Sequence, residues 1–237
     1  MPRFRIALLC TLIVIIISRP LASRAEPEPT TQILSGLEVT RDASYLYTGL
    51  VTPLPGSELG NGLVGRLWLD WSTYRYKKNN VIYDARGPGV ETALGYQKAG
   101  RDYWWAAYGG ATYRHTHLSP QDSESKVRGG QLRAKAQLEG ERTIHHLWKL
   151  SGITSYIFAQ HSDWSRIRFG RVFDSGHRLG LEAISQGDDD YRLYQFGVFM
   201  AGFKINAGIK GGIKAGMRKT EGLSADPYMG VEFEYRF

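Results

Sequence analysis

A strict two-residue alternation at the C-terminus constrains this chain more than any other feature. From Pro227 to Phe237, residues Met229, Val231, Phe233, Tyr235 and Phe237 fall on one parity, and Gly230, Glu232, Glu234 and Arg236 fall on the other. Successive side chains of a β-strand point to opposite faces, so the segment has one apolar face and one charged face. A soluble sandwich would turn the charged face to water and the apolar face to its core. A transmembrane barrel would turn the apolar face to lipid and the charged face to its lumen. This segment alone is compatible with both.

The same rhythm continues from Ile33 onward, punctuated by Gly, Pro, Asp and Asn, and predicts twelve strands. The first six are Ile33 to Val39, Tyr45 to Thr52, Leu63 to Tyr76, Gly89 to Lys98, Tyr103 to His117 and Arg128 to Glu141. The second six are His146 to Gln160, Ser165 to Phe173, Arg178 to Gln186, Tyr191 to Met200, Phe203 to Met217 and Tyr228 to Phe237. Several exceed the ~5 to 6 residues usual for globular strands and approach the ~9 to 11 that a tilted membrane strand needs. In Arg128 to Glu141, Leu132, Ala134, Ala136 and Leu138 oppose Gln131, Arg133, Lys135, Gln137 and Glu139. A fully charged face on a central strand must stay wet, and a barrel interior supplies the water.

The connections alternate in length as well. Lys77 to Pro88, Leu118 to Val127 and Arg218 to Pro227 are long and polar. Ala99 to Asp102, Arg142 to His145, Asp174 to His177 and Ala201-Gly202 are short. Outer-membrane barrels have long extracellular loops and short periplasmic turns, which puts both termini on the periplasmic side. Pro53 to Gly62 is the exception, a longer loop at the short-turn end. Aromatic residues gather near strand ends, at Tyr45, Tyr47, Trp68 to Tyr76, Tyr103 to Tyr108, Trp148, Trp164, Tyr191 and Tyr194, where some are expected to form headgroup-level girdles. The expected fold is all-β: an antiparallel transmembrane barrel of about twelve strands. The alternative is a soluble sandwich with these aromatics in its core.

The N-terminus carries Arg3 and Arg5, an apolar run from Ile6 to Ile17, and the small-residue pattern Ser23-Arg24-Ala25. This run is short of the ~20 residues of a membrane span but suits a secretory signal peptide cleaved after Ala25. An uncleaved anchor is the alternative. The expected organisation is a signal peptide over 1–25, a flexible Pro-rich lead-in over 26–32 and the barrel over 33–237. Cys10, the only cysteine, leaves with the signal. So do four arginines and no acid, which lowers the formal charge from +7 to +3. The basic pI is therefore mostly a property of the signal, and no nucleic-acid partner is expected.

By parity the lumen receives Arg66, Trp68, Asp70, Tyr74, Trp104, Tyr108, Arg133 and Lys135 as candidate substrate-binding residues. Arg114, Glu139, Arg166, Arg168, Glu182, Lys204, Lys210, Lys214, Glu232 and Glu234 join them. Aromatic faces in this set can stack on sugar rings, and an open pore and a filled lumen are equally compatible with twelve strands. A catalytic alternative is His117 with Ser119, on the lipid-facing parity beside His115, with Asp122 orienting the imidazole. The pairs His115/His117 and His145/His146 lack a third ligand of obvious spacing, and Asp188-Asp189-Asp190 reads as a solvated turn. No metal or cofactor is expected.

Five stretches resemble, in order, the cellulose biosynthesis protein BcsS family: Ala43 to Pro55, Gly62 to Tyr76, Leu94-Gly95-Tyr96-Gln97, His117 to Asp122 and Gly129-Gly130. The chain also stops on a strand at an aromatic residue, which resembles the C-terminal signature of outer-membrane barrels. The resemblance implies a non-enzymatic outer-membrane barrel that assists cellulose secretion, as an export conduit or an accessory. The implied partners are outer-membrane lipid, a β-glucan chain and components of the cellulose synthase secretion machinery. Alternatives are a lipid-A deacylase or phospholipase-like enzyme and a passive small porin.

Overall fold

The computed structural model describes residues 30–122, 125, 127–189 and 191–237; the expected signal peptide lies outside them. The first six strands are β1 (Gln32–Thr40), β2 (Ser44–Pro53), β3 (Asn61–Lys78), β4 (Val81–Ala99), β5 (Tyr103–Ser119) and β6 (Gly129–Ile144). The second six are β7 (Trp148–Ile157), β8 (Ser162–Val172), β9 (Arg178–Gly187), β10 (Arg192–Asn206), β11 (Ile209–Thr220) and β12 (Asp226–Arg236). Each pairs antiparallel with its sequence neighbours, and β12 pairs with β1 from Gln32↔Arg236 to Thr40↔Tyr228, closing a barrel. Closure leaves no unpaired seam for the backbone to expose to lipid.

The alternation sorts side chains as expected. Leu63, Leu67, Leu69 and Trp71 of β3 face outward, as do Leu94 of β4, Leu132 of β6, Phe196 of β10 and Met229 of β12. Leu132 is 74% exposed and Leu94 64%, so this outer face is apolar yet uncovered by protein, as lipid contact requires. Glu91, Arg168, Glu182, Gln195 and Lys214 lie on the opposite parity and are buried. The aromatic residues divide between the two faces. Trp71, Tyr103, Trp105, Trp148 and Tyr194 are exposed on the outside, while Tyr45, Tyr47, Trp68, Tyr74 and Trp104 point inward.

Three connections differ from expectation. Lys77 to Pro88 is no loop: β3 runs to Lys78, β4 starts at Val81, and Asn79 and Asn80 make the turn at φ 49° and 62°. Asparagine tolerates the left-handed conformation that tight hairpins demand. Pro88, which reads as a strand breaker, sits where the β4–β5 ladder is interrupted between Arg86↔His117 and Gly89↔Arg114. The expected strand Phe203 to Met217 spans a turn instead. Ala201-Gly202 is a bulge inside β10, with Gly202 at φ 86°, and the chain reverses between Asn206 and Ile209. The bulge moves the outward parity from Val198 to Phe203, so Lys204 still faces inward. The expected loop Arg218 to Pro227 shrinks to residues 221–225.

The end carrying both termini is nearly level, and Thr30 and Thr31 donate backbone N–H bonds to the Phe237 carbonyl there. The far end is not level. β3 continues through residues 74–78 beyond its pairing with β2, which stops at Ser44↔Thr73. β6 continues through residues 129–134 beyond its pairing with β7, which stops at Lys135↔Ile157. The β3–β6 wall therefore stands above the rest of the rim.

Candidate functional site

The lumen is the natural candidate, and its β2–β6 side is built around aromatic rings over glycines. Trp68 covers Gly49 and Tyr47 covers Gly36, positions where an added Cβ would collide with the ring. Tyr47 and Trp68 stack at 4.8 Å between centroids, and the Trp68 indole N–H donates to the Tyr45 hydroxyl (3.2 Å). Arg66 lies over Trp68 at 4.5 Å and shares Glu91 with Lys135. Arg114 donates to Asp70 (2.5 Å) and Ser72 (2.7 Å). Near the terminal end, Val51, Val64, Ala93, Ala106 and Tyr108 form a buried apolar cluster, against which Leu59 and Trp104 pack. This explains the odd Pro53 to Gly62 loop. It folds back to deliver Leu59, and the Gly60 N–H donates to Gln97 (2.7 Å), which in turn donates to Tyr108 (2.9 Å).

The opposite side is ionic. Glu182, fully buried, accepts from Arg168 (2.5 Å) and Tyr228 (3.3 Å) and lies 3.7 Å from the Lys214 ammonium. Glu232 of β12 reaches across to β8, accepting from Arg166 (2.8 Å) and from Arg168 (2.7 and 3.0 Å). Lys214 also pairs with Glu38 (2.5 Å), and Gln195 donates to the same carboxylate (2.7 Å). Toward the terminal end Arg178 and Lys149 share Glu141, at 2.8 and 2.6 Å. Phe199 lies beneath both Arg168 and Arg178. Such groups tolerate burial because each charge is paired and hydrogen-bonded. At the far end Tyr74 of β3 meets Tyr191, which precedes β10, at 5.6 Å between ring centroids. These two strands lie nearly opposite in the ring, so the stack crosses the lumen. Tyr76, Ala85 and Leu118 fill the space around it.

All eight candidate substrate-binding residues face inward, and each has a protein partner. Arg66, Asp70 and Lys135 are in ion pairs. Trp68, Tyr74, Trp104 and Tyr108 are packed or stacked, and Arg133 donates to Gln131 (2.9 Å). Lys204 and Lys210 sit opposite each other at the terminal mouth, both exposed, and Glu234 pairs with Arg236 (2.6 Å). Glu38, Glu91, Glu141, Arg178 and Phe199 also line the lumen and lie outside the set expected from parity. For Glu91 the signal was present, because Glu91, Ala93, Gly95 and Gln97 alternate with Val90, Thr92, Leu94 and Tyr96.

The candidate catalytic group is not brought together. His117 and Ser119 are exposed on the outer face of β5, as expected from parity, but no hydrogen bond joins them among the described residues. Asp122 is buried in the following loop, where its carboxylate is 3.5 Å from Lys78. Asp190 lies outside the described residues. Asp188 caps the Tyr191 N–H (3.2 Å), and Asp189 meets His161 (3.1 Å).

The sequence profile of the cellulose biosynthesis protein BcsS family matches residues 33–237. The chain belongs to the BcsS family. That match covers the whole barrel, so the protein is a cellulose-biosynthesis-associated outer-membrane barrel. Among solved structures, the KdgM porin aligns over 87% of this chain and 99% of its own at 11% identity, with a TM-score of 0.52. The β domain of the Bordetella autotransporter BrkA aligns over 89% and 100% at 12% identity, with a TM-score of 0.53. The transport unit of the Escherichia coli autotransporter AIDA-I aligns over 98% and 97% at 10% identity, with a TM-score of 0.50. At these identities the BcsS-family chain shares the fold with them. No curated protein matches the sequence.

Proposed function

We propose that this BcsS-family barrel serves cellulose secretion as a closed, non-enzymatic outer-membrane accessory rather than as the conduit for the glucan chain. The carrying observation is the Tyr74–Tyr191 stack across the lumen. The Leu59 loop and the Glu182–Glu232 network reinforce it toward the terminal end. A β-glucan would have to displace paired, desolvated charges, which costs several kcal/mol per ion. In this reading the termini face the periplasm, because the far end carries the taller hairpins and the longer β5–β6 loop.

The test is conductance of the refolded barrel in planar bilayers, with and without cello-oligosaccharides. Silence in a membrane-inserted protein is expected. Discrete channels blocked by the sugars would overturn the closed reading in favour of a conduit, and channels indifferent to them would favour a passive porin. Ser119→Ala should leave cellulose output unchanged; a lipid-ester hydrolase activity that Ser119→Ala abolishes would refute the non-enzymatic reading.

A further inference from the structure

Beside the rim, just above the apolar belt, the outer wall of β1–β5 carries a groove of about 530 Å³. Its height follows from register. Leu46, Trp71 and Pro88 form the last apolar row on adjacent strands. The next outward row is Ser44, Thr73, Arg86 and His117, and above it lie Arg75, Asp84 and Ser119. The change from apolar to polar occurs within one outward row, at the level where lipid headgroups begin.

The groove contains three arginines and two aspartates. Both aspartates are committed to one arginine: Arg75 pairs with Asp42 at 2.6 Å and with Asp84 at 2.8 Å. Among the described residues, the side chains of Arg41 and Arg86 have no carboxylate partner. Arg86 stands directly opposite His117 across the β4–β5 ladder. Gly87 holds this junction tight, since a Cβ there would collide with the His115 carbonyl. Two guanidinium groups, an imidazole and the Ser119 hydroxyl thus line one concavity at the membrane surface without neutralising one another. Guanidinium matches phosphate geometry by paired N–H bonds, and the imidazole N–H and the hydroxyl add donors.

We propose that this groove binds the phosphate-bearing sugar headgroup of an outer-leaflet glycolipid, with Arg86 and Arg41 holding the phosphate. The choice of leaflet rests on the orientation read under Proposed function; the affinity for the headgroup does not.

The experiment is native mass spectrometry of the refolded full barrel in detergent, with diphosphoryl lipid A and with the same lipid stripped of its phosphates. Preferential retention of the phosphorylated lipid is expected, falling by about tenfold in Arg86→Ala, the loss of one charge-assisted pair. A further fall is expected in Arg41→Ala/Arg86→Ala. Lys219→Ala, elsewhere at the far end, should bind as the unaltered protein does. Equal retention of the two lipids, or unchanged retention in the double variant, overturns the proposal. Inorganic phosphate binding as tightly as the lipid would overturn the assignment to a lipid. Should Arg86→Ala fail to refold, His117→Ala gives the same reading. Detergent makes the result independent of orientation, which surface labelling decides separately.

Discussion

Glu182 is sealed between Arg168, Lys214 and Tyr228, so its carboxylate is the most exacting single position in the lumen. Glu182→Ala leaves buried cations short of a partner and should cost about 3–5 kcal/mol, read as a lower urea midpoint of the refolded barrel. Gly49→Val should destabilise by about 1–3 kcal/mol in the same assay, because the added side chain must displace the Trp68 ring. Burial, reinforced by the Asp188 carboxylate, pushes the Tyr191 phenol up to about 12. A phenol raised above its unfolded value of about 10 stabilises the folded state fully below that pH, and the contribution is lost as pH climbs to 12. Wild-type urea midpoints should therefore fall between pH 10 and 12 more than those of Tyr191→Phe. Parity alone identified most of these inward residues. It did not identify their partners, because a side-chain face says nothing about which strand lies opposite; the reach of Glu232 from β12 to Arg166 and Arg168 emerges only once the ring is closed.

At the level of elements, all twelve strands were legible because one of their faces had to match lipid throughout. Their ends were less so. Asn79 and Asn80 form a turn without the glycine that usually announces one, and Gly202 marks a bulge that looks like a turn in sequence. Asn80→Val places a β-branched residue at φ 62° and should cost about 1–2 kcal/mol locally. The hairpin stands clear of the membrane, so the expected result is faster protease cleavage within residues 77–82 with the barrel's melting temperature unchanged. Cys10 is the chain's sole cysteine, so single cysteines introduced into a Cys10→Ser background report orientation cleanly. A membrane-impermeant maleimide should label Glu221→Cys on intact cells and leave Ser175→Cys untouched; the reverse pattern would invert the assignment of the ends.

The whole molecule is a ring without a seam, filled on one side by aromatic and aliphatic side chains and on the other by charge pairs. The filling was not legible from strand number, since twelve strands leave room for either a pore or a packed interior. It depends on particular residues, among them Leu59 on an inward-folded loop and Tyr191 just outside a strand. The unequal strand heights have a consequence of their own. A closed ring with a level rim would look alike from every direction in the plane of the membrane, whereas the β3–β6 wall gives this one a compass bearing. Anything emerging beside the barrel meets a parapet on one flank and a low sill on the other, so a neighbour's position around the circumference, and not only its distance, decides what it touches.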